Sequence, residues 1–167
     1  MSKTSLLVSM IVIGLAGAAH AGGQAGSIGV GAEYQMNGVG GLSVVYDAGL
    51  FHLGGMIGFD DPEGANNTVF QLAGEFYYHV HHSAFADFGL GGSLGFNSVP
   101  VINMAMTQRN TDVYLEPGFQ IRAFLSSNVA LSATAGLVIG TVDASRVAIT
   151  GQSFGAAGGI GIHYYFY

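Results

Sequence analysis

The chain has 167 residues, with ten acidic side chains against four lysines and arginines, and this balance argues against nucleic-acid binding, which needs a basic surface. It contains no cysteine, which excludes a disulfide framework, a thiolate metal site and a lipidated cysteine. Only 8% of its residues are charged, against about 25% in typical soluble domains, so a water-facing surface would be hard to build from them.

The first residues have the pattern of a secretory signal peptide. Lys3 precedes the apolar stretch "SLLVSMIVIGLAGAA", and Ala19-His20-Ala21 forms a small-x-small cleavage site. The stretch is shorter than the roughly 20 apolar residues that a membrane helix needs, which disfavours an uncleaved anchor. The sequence therefore predicts a signal peptide over 1–21 and one mature domain over 22–167, which keeps three arginines and no lysine.

After residue 25 the hydrophobic pattern has a period of two, which is typical of β-strands with two unlike faces. Twenty-eight glycines are also too many for a helical protein. Turn signals separate the alternating segments. Eight segments follow in chain order: 26–36, 41–47, 50–59, 68–80, 84–96, 112–124, 129–139 and 154–167.

The two faces of these segments differ sharply in chemistry. One face is apolar throughout, as in Phe70, Leu72, Phe76, Tyr78 and Val80 of the fourth segment, and it carries no charge in any of the eight. The other face is rich in glycine and serine and carries Glu33, Gln35, Asp47, His52, Gln71, Glu75, His79, Asp87, Asp112, Glu116, Gln120, Arg122 and His163. This partition predicts an all-β, eight-stranded, antiparallel up-and-down barrel.

Two orientations of such a barrel are open. A soluble periplasmic barrel turns its apolar face inward, whereas a membrane barrel turns it outward to lipid. The polar face has too few charges for a solvated surface but suits a narrow lumen, since eight strands leave room only for side chains. The connections also alternate between short turns and longer loops, as in outer-membrane barrels. The longer loops are predicted over 37–41, 60–67, 97–111 and 140–153.

The chain ends "GIGIHYYFY", with Ile160, Ile162, Tyr164 and Phe166 on the lipid face. This end resembles the C-terminal signal by which the insertion machinery recognises outer-membrane barrels, although Tyr167 follows out of register. Pattern and length together make the mature chain similar to small eight-stranded outer-membrane barrels of the OmpA/OmpX type. That resemblance implies both termini in the periplasm and contact with outer-membrane lipid and lipopolysaccharide. Unlike full-length OmpA-type proteins, the chain is expected to lack a periplasmic peptidoglycan-binding domain.

The inward polar residues predict a network in the lumen. Turn positions place Asp87 near Arg122 on one neighbouring strand and near Glu75 and Tyr77 on the other, so Arg122 is expected to bridge Asp87 with Glu75 close by. Glu33 and Glu116 lie higher, without an obvious cation. We expect these groups to fill the lumen, because small barrel interiors are usually filled. A polar gate or a proton-sensitive lumen is the alternative.

Pro117 lies within the sixth segment, and proline cannot donate to a strand ladder. We therefore expect a bulge or another distortion of the sheet at this position.

"HVHH" supplies three histidines, of which His79 and His81 share a strand face that is compatible with metal binding. The sequence offers no third ligand nearby, so these side chains and His82 are predicted to be solvated turn histidines. No metal and no cofactor is predicted.

"HHS" resembles the His-x-Ser motif of the lipid A 3-O-deacylases, which are eight-stranded outer-membrane barrels. That resemblance implies His81 as the base and Ser83 as the nucleophile. The family's acid, expected about a dozen residues later, is replaced by Gly95, and the motif falls at a predicted periplasmic turn rather than at the outer leaflet. An enzyme is thus an alternative, and the catalytic prediction is none.

The leading functional interpretation is a non-enzymatic outer-membrane protein with a structural role or a surface-interaction role through its loops. Residues 97–111 and 140–153 are the candidate contacts with a surface ligand, since apolar residues such as those of "VPVINMAM" often mark contacts. The same stretch is equally compatible with strands that continue beyond the bilayer. A narrow pore is the second interpretation.

Overall fold

A computed structural model describes residues 23–35, 40–61, 63, 67–103, 106–141 and 152–167. The predicted signal peptide, 1–21, lies outside them. The described residues form eight strands: β1 (Ile28–Gln35), β2 (Gly40–Asp47), β3 (Phe51–Asp60), β4 (Val69–His82), β5 (Ala86–Asn103), β6 (Met106–Phe124), β7 (Val129–Thr141) and β8 (Gln152–Phe166). None of the described residues forms a helix with the length and hydrophobicity that crossing a bilayer would require.

The strands form a closed barrel in sequence order, and each one pairs antiparallel with the next. The barrel closes between its first and last strands, which pair from Ile28↔Phe166 to Gln35↔Gly159. Closure satisfies the backbone groups that an open sheet edge would leave unpaired. The predicted fold class, an all-β up-and-down barrel of eight antiparallel strands, is confirmed.

The outer surface is apolar because alternate residues of every strand point away from the barrel. Along β4, for example, Leu72, Phe76, Tyr78 and Val80 are about half exposed, whereas Tyr77 and His79, which alternate with the last three, are buried. Large apolar side chains exposed to the same degree occur on all eight strands. The chain therefore has the reverse of a soluble protein's distribution, with hydrocarbon outside and polar groups inside.

Glycines inside the strands make room for inward tyrosines. A Cβ atom at Gly95 would lie 2.1 Å from Cζ of Tyr114, and one at Gly29 would lie 2.9 Å from Cζ of Tyr165. Both rings are almost completely buried. Each glycine thus lets a neighbouring strand turn a large side chain into a lumen that is otherwise too narrow.

The barrel has two unlike ends. At the short-turn end, β2–β3, β4–β5 and β6–β7 are joined by the turns 48–50, 83–85 and 125–128, and Gly49 has the positive φ of 87° that a tight turn requires. The opposite end, here called the long-loop end, carries the remaining connections.

The loop predicted over 97–111 is largely strand instead. β5 and β6 continue as a paired ladder from Asn97↔Asp112 to Asn103↔Met106. This hairpin extension was the alternative that the sequence left open. Of the loop predicted over 140–153, residues 142–151 lie outside the described residues, while 140–141 and 152–153 are paired strand.

No bulge occurs at Pro117. The β5–β6 ladder runs through it without a shift, with Pro117 opposite Gly92. On the other side, pairing with β7 lapses between Leu115↔Ile139 and Gly118↔Gly136 and then resumes in the same register. The sheet therefore accommodates the missing donor by leaving two residues of β6 unpaired toward β7, without inserting an extra residue.

Candidate functional site

An arginine organises the short-turn end of the lumen. Nη2 of Arg122 donates to Oδ2 of Asp47 at 2.7 Å and to Oδ2 of Asp87 at 2.6 Å. Nη1 of the same guanidinium donates to the hydroxyl of Tyr165 at 3.1 Å. Arg122 is 3% exposed and Asp47 is fully buried, so this is an ion pair inside the barrel and not a surface contact. Three strands, β2, β5 and β6, are joined by it across the lumen.

A bulge in β4 brings a histidine to this cluster. Pairing with β5 shifts between His79↔Gly89 and His81↔Phe88, which leaves Val80 as the extra residue. The shift reverses the alternation of faces, so His82, opposite Asp87, turns toward the lumen and His81 turns outward. Nδ1 of His82 is hydrogen-bonded to Oδ1 of Asp87. The prediction that His79 and His81 share a strand face is therefore wrong.

A second histidine is oriented by the backbone. Nδ1 of His79 lies 2.8 Å from the carbonyl oxygen of Gly49, and because a carbonyl only accepts, Nδ1 carries the proton. Nε2 then faces Nη2 of Arg122 at 3.1 Å and Nδ1 of His52 at 2.8 Å as an acceptor. His52 also stacks on Tyr77, with ring centroids 5.4 Å apart. These contacts hold His79 in one tautomer and one ring orientation.

Three glutamates occupy the middle of the lumen. Oε1 of Glu33 lies 3.2 Å from Nε2 of His163, which also lies 2.6 Å from the hydroxyl of Ser43. Oε2 of Glu116 accepts a hydrogen bond from Ser93 at 2.9 Å. Glu75 lies against Gly54, where a Cβ would meet Oε1 of Glu75 at 2.2 Å. All three carboxylates line one cavity of about 20 Å³.

Two small cavities lie inside the described lumen. A cavity must offer roughly 10–15 Å³ to hold one water molecule, so the cavity of about 20 Å³ between the glutamates is water-sized. A second cavity, of about 10 Å³, lies between Tyr77, Glu116 and Thr134 and is at this limit. Both of these cavities are therefore close to the size of one water molecule.

A hydrogen-bonded triad lies nearer the long-loop end. Nε2 of Gln71 donates to Oε1 of Gln35 and, at 2.5 Å, to the hydroxyl of Tyr114. The Tyr114 hydroxyl in turn donates to Oε1 of Gln35 at 3.2 Å. Its ring packs with Met56 and Ala73 in a small apolar cluster. Strands β1, β4 and β6 are therefore joined across the lumen at a second level.

The structure brings together only part of the polar network expected from the sequence. Arg122 contacts Asp87, but Glu75 pairs with Ser93, well along β5 from Asp87, and Tyr77 pairs with Gly91. The expectation that Asp87 neighbours Glu75 and Tyr77 is wrong, because the β4 bulge and its turn place His82 opposite Asp87.

Asp47, the second acidic partner of Arg122, was not anticipated as one. Its strand, β2, is separated from β6 by three other strands, so the two side chains meet only because the closed barrel brings opposite walls together across the lumen. Inward Asp47 was visible in the alternation of the second segment, but strand pairing alone could not connect it with Arg122. The triad of Gln35, Gln71 and Tyr114 was missed for the same reason.

Ser83 serves the β4–β5 turn. Its hydroxyl donates to the carbonyl of Ala86 at 2.8 Å and accepts from the N–H of Ala86 at 3.0 Å. Within the described part of the chain, no hydrogen bond joins Ser83 to His81. The hydroxyl is thus engaged by backbone, in the way that serines commonly stabilise turns.

The C-terminus is fixed to the β6–β7 turn. Asn128 donates from Nδ2 to the carbonyl of Tyr165 at 2.8 Å, and the Tyr167 hydroxyl donates to the carbonyl of Ser127. Partial burial at this contact raises the pKa of the Tyr167 phenol. On the outer surface, the rings of Tyr164 and Phe166 meet edge to face with centroids 5.0 Å apart.

This fold and lumen define a class of protein: an eight-stranded antiparallel barrel with an apolar exterior and a polar interior. Among solved structures, the chain is similar to the N-terminal β-barrel domain of Pseudomonas aeruginosa OprF, with a TM-score of 0.64 and 15% sequence identity. The match covers 87% of this chain and 99% of that domain. No protein-family model matches the chain, and no curated protein matches it. The similarity therefore concerns the fold.

Proposed function

We propose that the chain is an integral outer-membrane β-barrel protein that acts as a structural or surface-interacting element of the envelope and whose lumen does not conduct. The apolar exterior carries the first part of this proposal. A ring of half-exposed hydrocarbon around the whole barrel is unfavourable in water and favourable in lipid. The outward tyrosines Tyr34, Tyr46, Tyr78 and Tyr164 are suited to the two interfaces, where aromatic rings concentrate.

The implied partners follow from this location. Lipid and lipopolysaccharide would cover the outer face, and the insertion machinery would recognise strand β8 with its terminal aromatic residues. Removal of a signal peptide after Ala21 would precede insertion. N-terminal sequencing of the protein from outer membranes should then begin at Gly22, and heat-modifiable migration on gels should report a closed barrel in that fraction.

The water-sized cavity between Glu33, Glu75 and Glu116 carries the proposal of a filled lumen. Above it, the triad of Gln71, Gln35 and Tyr114 joins three strands across the barrel. Below it, Arg122 is held between two buried aspartates. Planar-bilayer recording of the purified protein tests this: the expected result is a baseline without single-channel steps. Stable, reproducible steps would contradict it.

A narrow pore is the second candidate, and the charge of the lumen favours one form of it. Several acidic side chains face the interior of the described barrel, among them Glu33, Asp47, Glu75, Asp87 and Glu116, and Arg122 opposes them. Such a lumen would attract cations and repel anions. If steps are seen, a reversal potential measured in a KCl gradient should therefore show cation selectivity.

The proposal excludes a hydrolase at Ser83. Its hydroxyl is bonded to Ala86 on both its donor and its acceptor side. Cells that carry Ser83→Ala should retain the lipid A acylation pattern of the parent strain, measured by mass spectrometry. A change in acyl-chain number with barrel assembly intact would establish the deacylase alternative.

A surface role would involve the long-loop end. There the β5–β6 hairpin extension is tied to the β3–β4 connection by Arg109, whose Nη2 donates to the carbonyl of Thr68 at 2.8 Å. A ligand could contact residues 97–111 together with 140–153. Cells that lack the protein should lose envelope integrity or surface binding, and replacement of each loop by a short turn should separate the two roles.

A further inference from the structure

We propose that His79, His82 and Asp87 form a binding site for a divalent transition-metal ion of the zinc class at the short-turn mouth of the barrel. One ligand atom from each of these residues lies within 4.8 Å of the others. Two imidazoles and one carboxylate are a ligand set that such ions accept, with a fourth position left for water. The site is independent of whether the lumen conducts.

The β4 bulge creates the site. In a regular strand, His79 and His82 would point to opposite faces, because their separation is odd. The extra residue Val80 reverses the alternation, so both rings face the lumen, nearly parallel at 12° with centroids 6.3 Å apart. Bulges recur where a side chain must be re-aimed for function. The same bulge turns His81 away from the cluster.

His79 already has the orientation of a metal ligand. Its Nδ1 donates to the carbonyl of Gly49, so the lone pair of Nε2 faces the cluster. Arg122 and His52 donate to Nε2, and a bound ion would replace these two hydrogen bonds. Histidines that bind metals usually donate their other ring N–H to a carbonyl or carboxylate in this way. Asp87 is oriented as well, because Arg122 binds its Oδ2 and leaves Oδ1 toward His82.

The charge of the surroundings permits a dication. Asp47 and Asp87 carry two negative charges against the single positive charge of Arg122, whose Nη2 lies 2.7 Å from Oδ2 of Asp47 and 2.6 Å from Oδ2 of Asp87. Arg122 also lies 3.1 Å from Nε2 of His79. An ion bound at this nitrogen would therefore lie close to the positively charged guanidinium. We expect moderate affinity for that reason.

Entry of the ion requires a small movement of one side chain. Nδ1 of His82 and Oδ1 of Asp87 are hydrogen-bonded, whereas two ligands of one tetrahedral zinc ion lie about 3.4 Å apart, given bonds of about 2.1 Å. The His82 side chain is 49% exposed, so it can rotate outward without disturbing the packed lumen. The ion would replace the proton that these two atoms share.

Titration calorimetry with zinc chloride tests the proposal on the full-length mature barrel, refolded in detergent without an affinity tag. The expected result is one saturable site per chain. His82→Ala should weaken binding by at least about tenfold, since loss even of a supporting group around a metal costs roughly that much. His81→Ala is the matched control, because this neighbouring histidine faces outward, and it should bind zinc as the parent does. Heat-modifiable migration checks that each variant is folded.

X-ray absorption at the zinc edge of the loaded parent protein supplies a measurement that needs no variant. Two imidazole nitrogens and one carboxylate oxygen in the first coordination sphere are expected. Absence of saturable binding, equal weakening by His81→Ala and His82→Ala, or a coordination sphere with fewer than two imidazoles would overturn the site.

Discussion

Arg122 and Asp47 are 75 residues apart in the chain, yet their side chains meet inside the barrel at 2.7 Å. Asp47 is the last residue of β2 and Arg122 lies near the end of β6, so both belong to the short-turn end. Both side chains are almost completely buried. Because a buried charge is costly without a partner, this contact makes the stability of the lumen depend on several strands at once.

Replacement of Arg122 by methionine should therefore destabilise the barrel strongly. The substitution leaves Asp47 and Asp87 buried without a cation, and breaking a buried ion pair from one side costs about 3–5 kcal/mol. Urea unfolding in lipid vesicles, followed by gel migration, measures the change in the free energy of unfolding. Arg109→Met, at an exposed arginine with two hydrogen bonds at the long-loop end, is the control and should cost clearly less, about 1 kcal/mol.

A charge-free triple variant, Asp47→Asn/Asp87→Asn/Arg122→Met, should recover much of the stability lost in Arg122→Met, because no buried charge then remains unpaired. Equal instability of the single and triple variants would show that packing, and not charge, explains the loss.

The apolar outward face predicts that the cost of a charged substitution depends on its depth in the membrane. Leu94 is 59% exposed and pairs with Gly74, which lies midway between outward Phe70 and Tyr78 on β4. Leu94→Arg should cost about 2–4 kcal/mol of unfolding free energy in vesicles, and Leu50→Arg, in a short turn, about 0–1. Similar costs at both positions would contradict the proposed position of the bilayer.

Gly95 and Tyr114 predict a packing effect inside the lumen. A Cβ at Gly95 would collide with the Tyr114 ring, which Gln71 and Gln35 hold in place, so Gly95→Ala should destabilise by about 1–3 kcal/mol. Gly74→Ala is the matched control, since its Cβ would meet no atom closer than 3.9 Å. Combining Gly95→Ala with Tyr114→Leu should give less than the sum of the two effects, because the two sites share one contact. Simple additivity would disprove the clash.

The last strand predicts a difference between the two final residues. Phe166 points outward next to Tyr164, whereas Tyr167 follows the end of β8 and bonds the turn at Ser127. Phe166→Ala should slow assembly in vesicles that contain the insertion machinery, and Tyr167→Ala should have a smaller effect. Folding rates from gel migration measure this, and a larger effect of Tyr167→Ala would overturn the proposed role of the lipid-facing aromatic residue.

The strands and their faces were predictable because each depends on the local alternation of side chains. The eight predicted segments correspond to β1–β8, with the largest differences in β5 and β6, which extend past residue 97 and before residue 112. Those extensions were ambiguous in sequence, since "VPVINMAM" is apolar without a clear period. Pro117 predicted a distortion, and pairing toward β7 does lapse there, but a missing donor alone does not show which neighbouring strand adapts or whether a bulge forms.

A contact between two residues of the candidate sites was predictable only where both lie on paired strands. Arg122 and Asp87 face each other across β5 and β6, so turn positions were enough to bring them together. The histidine cluster was not predictable, because a bulge has no sequence signal as clear as an alternation. Because Val80 is an extra residue in β4, His82 faces the lumen and His81 does not.

The order of apolar and polar residues along this chain determined by itself how many strands form, which face of each is apolar and that the polar faces must share a narrow interior. Tertiary structure alone decided which inward groups meet: Asp47 with Arg122, Gln71 with Gln35, and His82 with Asp87. The physical reason is that the two kinds of interaction act over different separations along the chain. Alternation acts between neighbours in the chain, whereas contacts across a lumen depend on closure, stagger and bulges of the whole sheet.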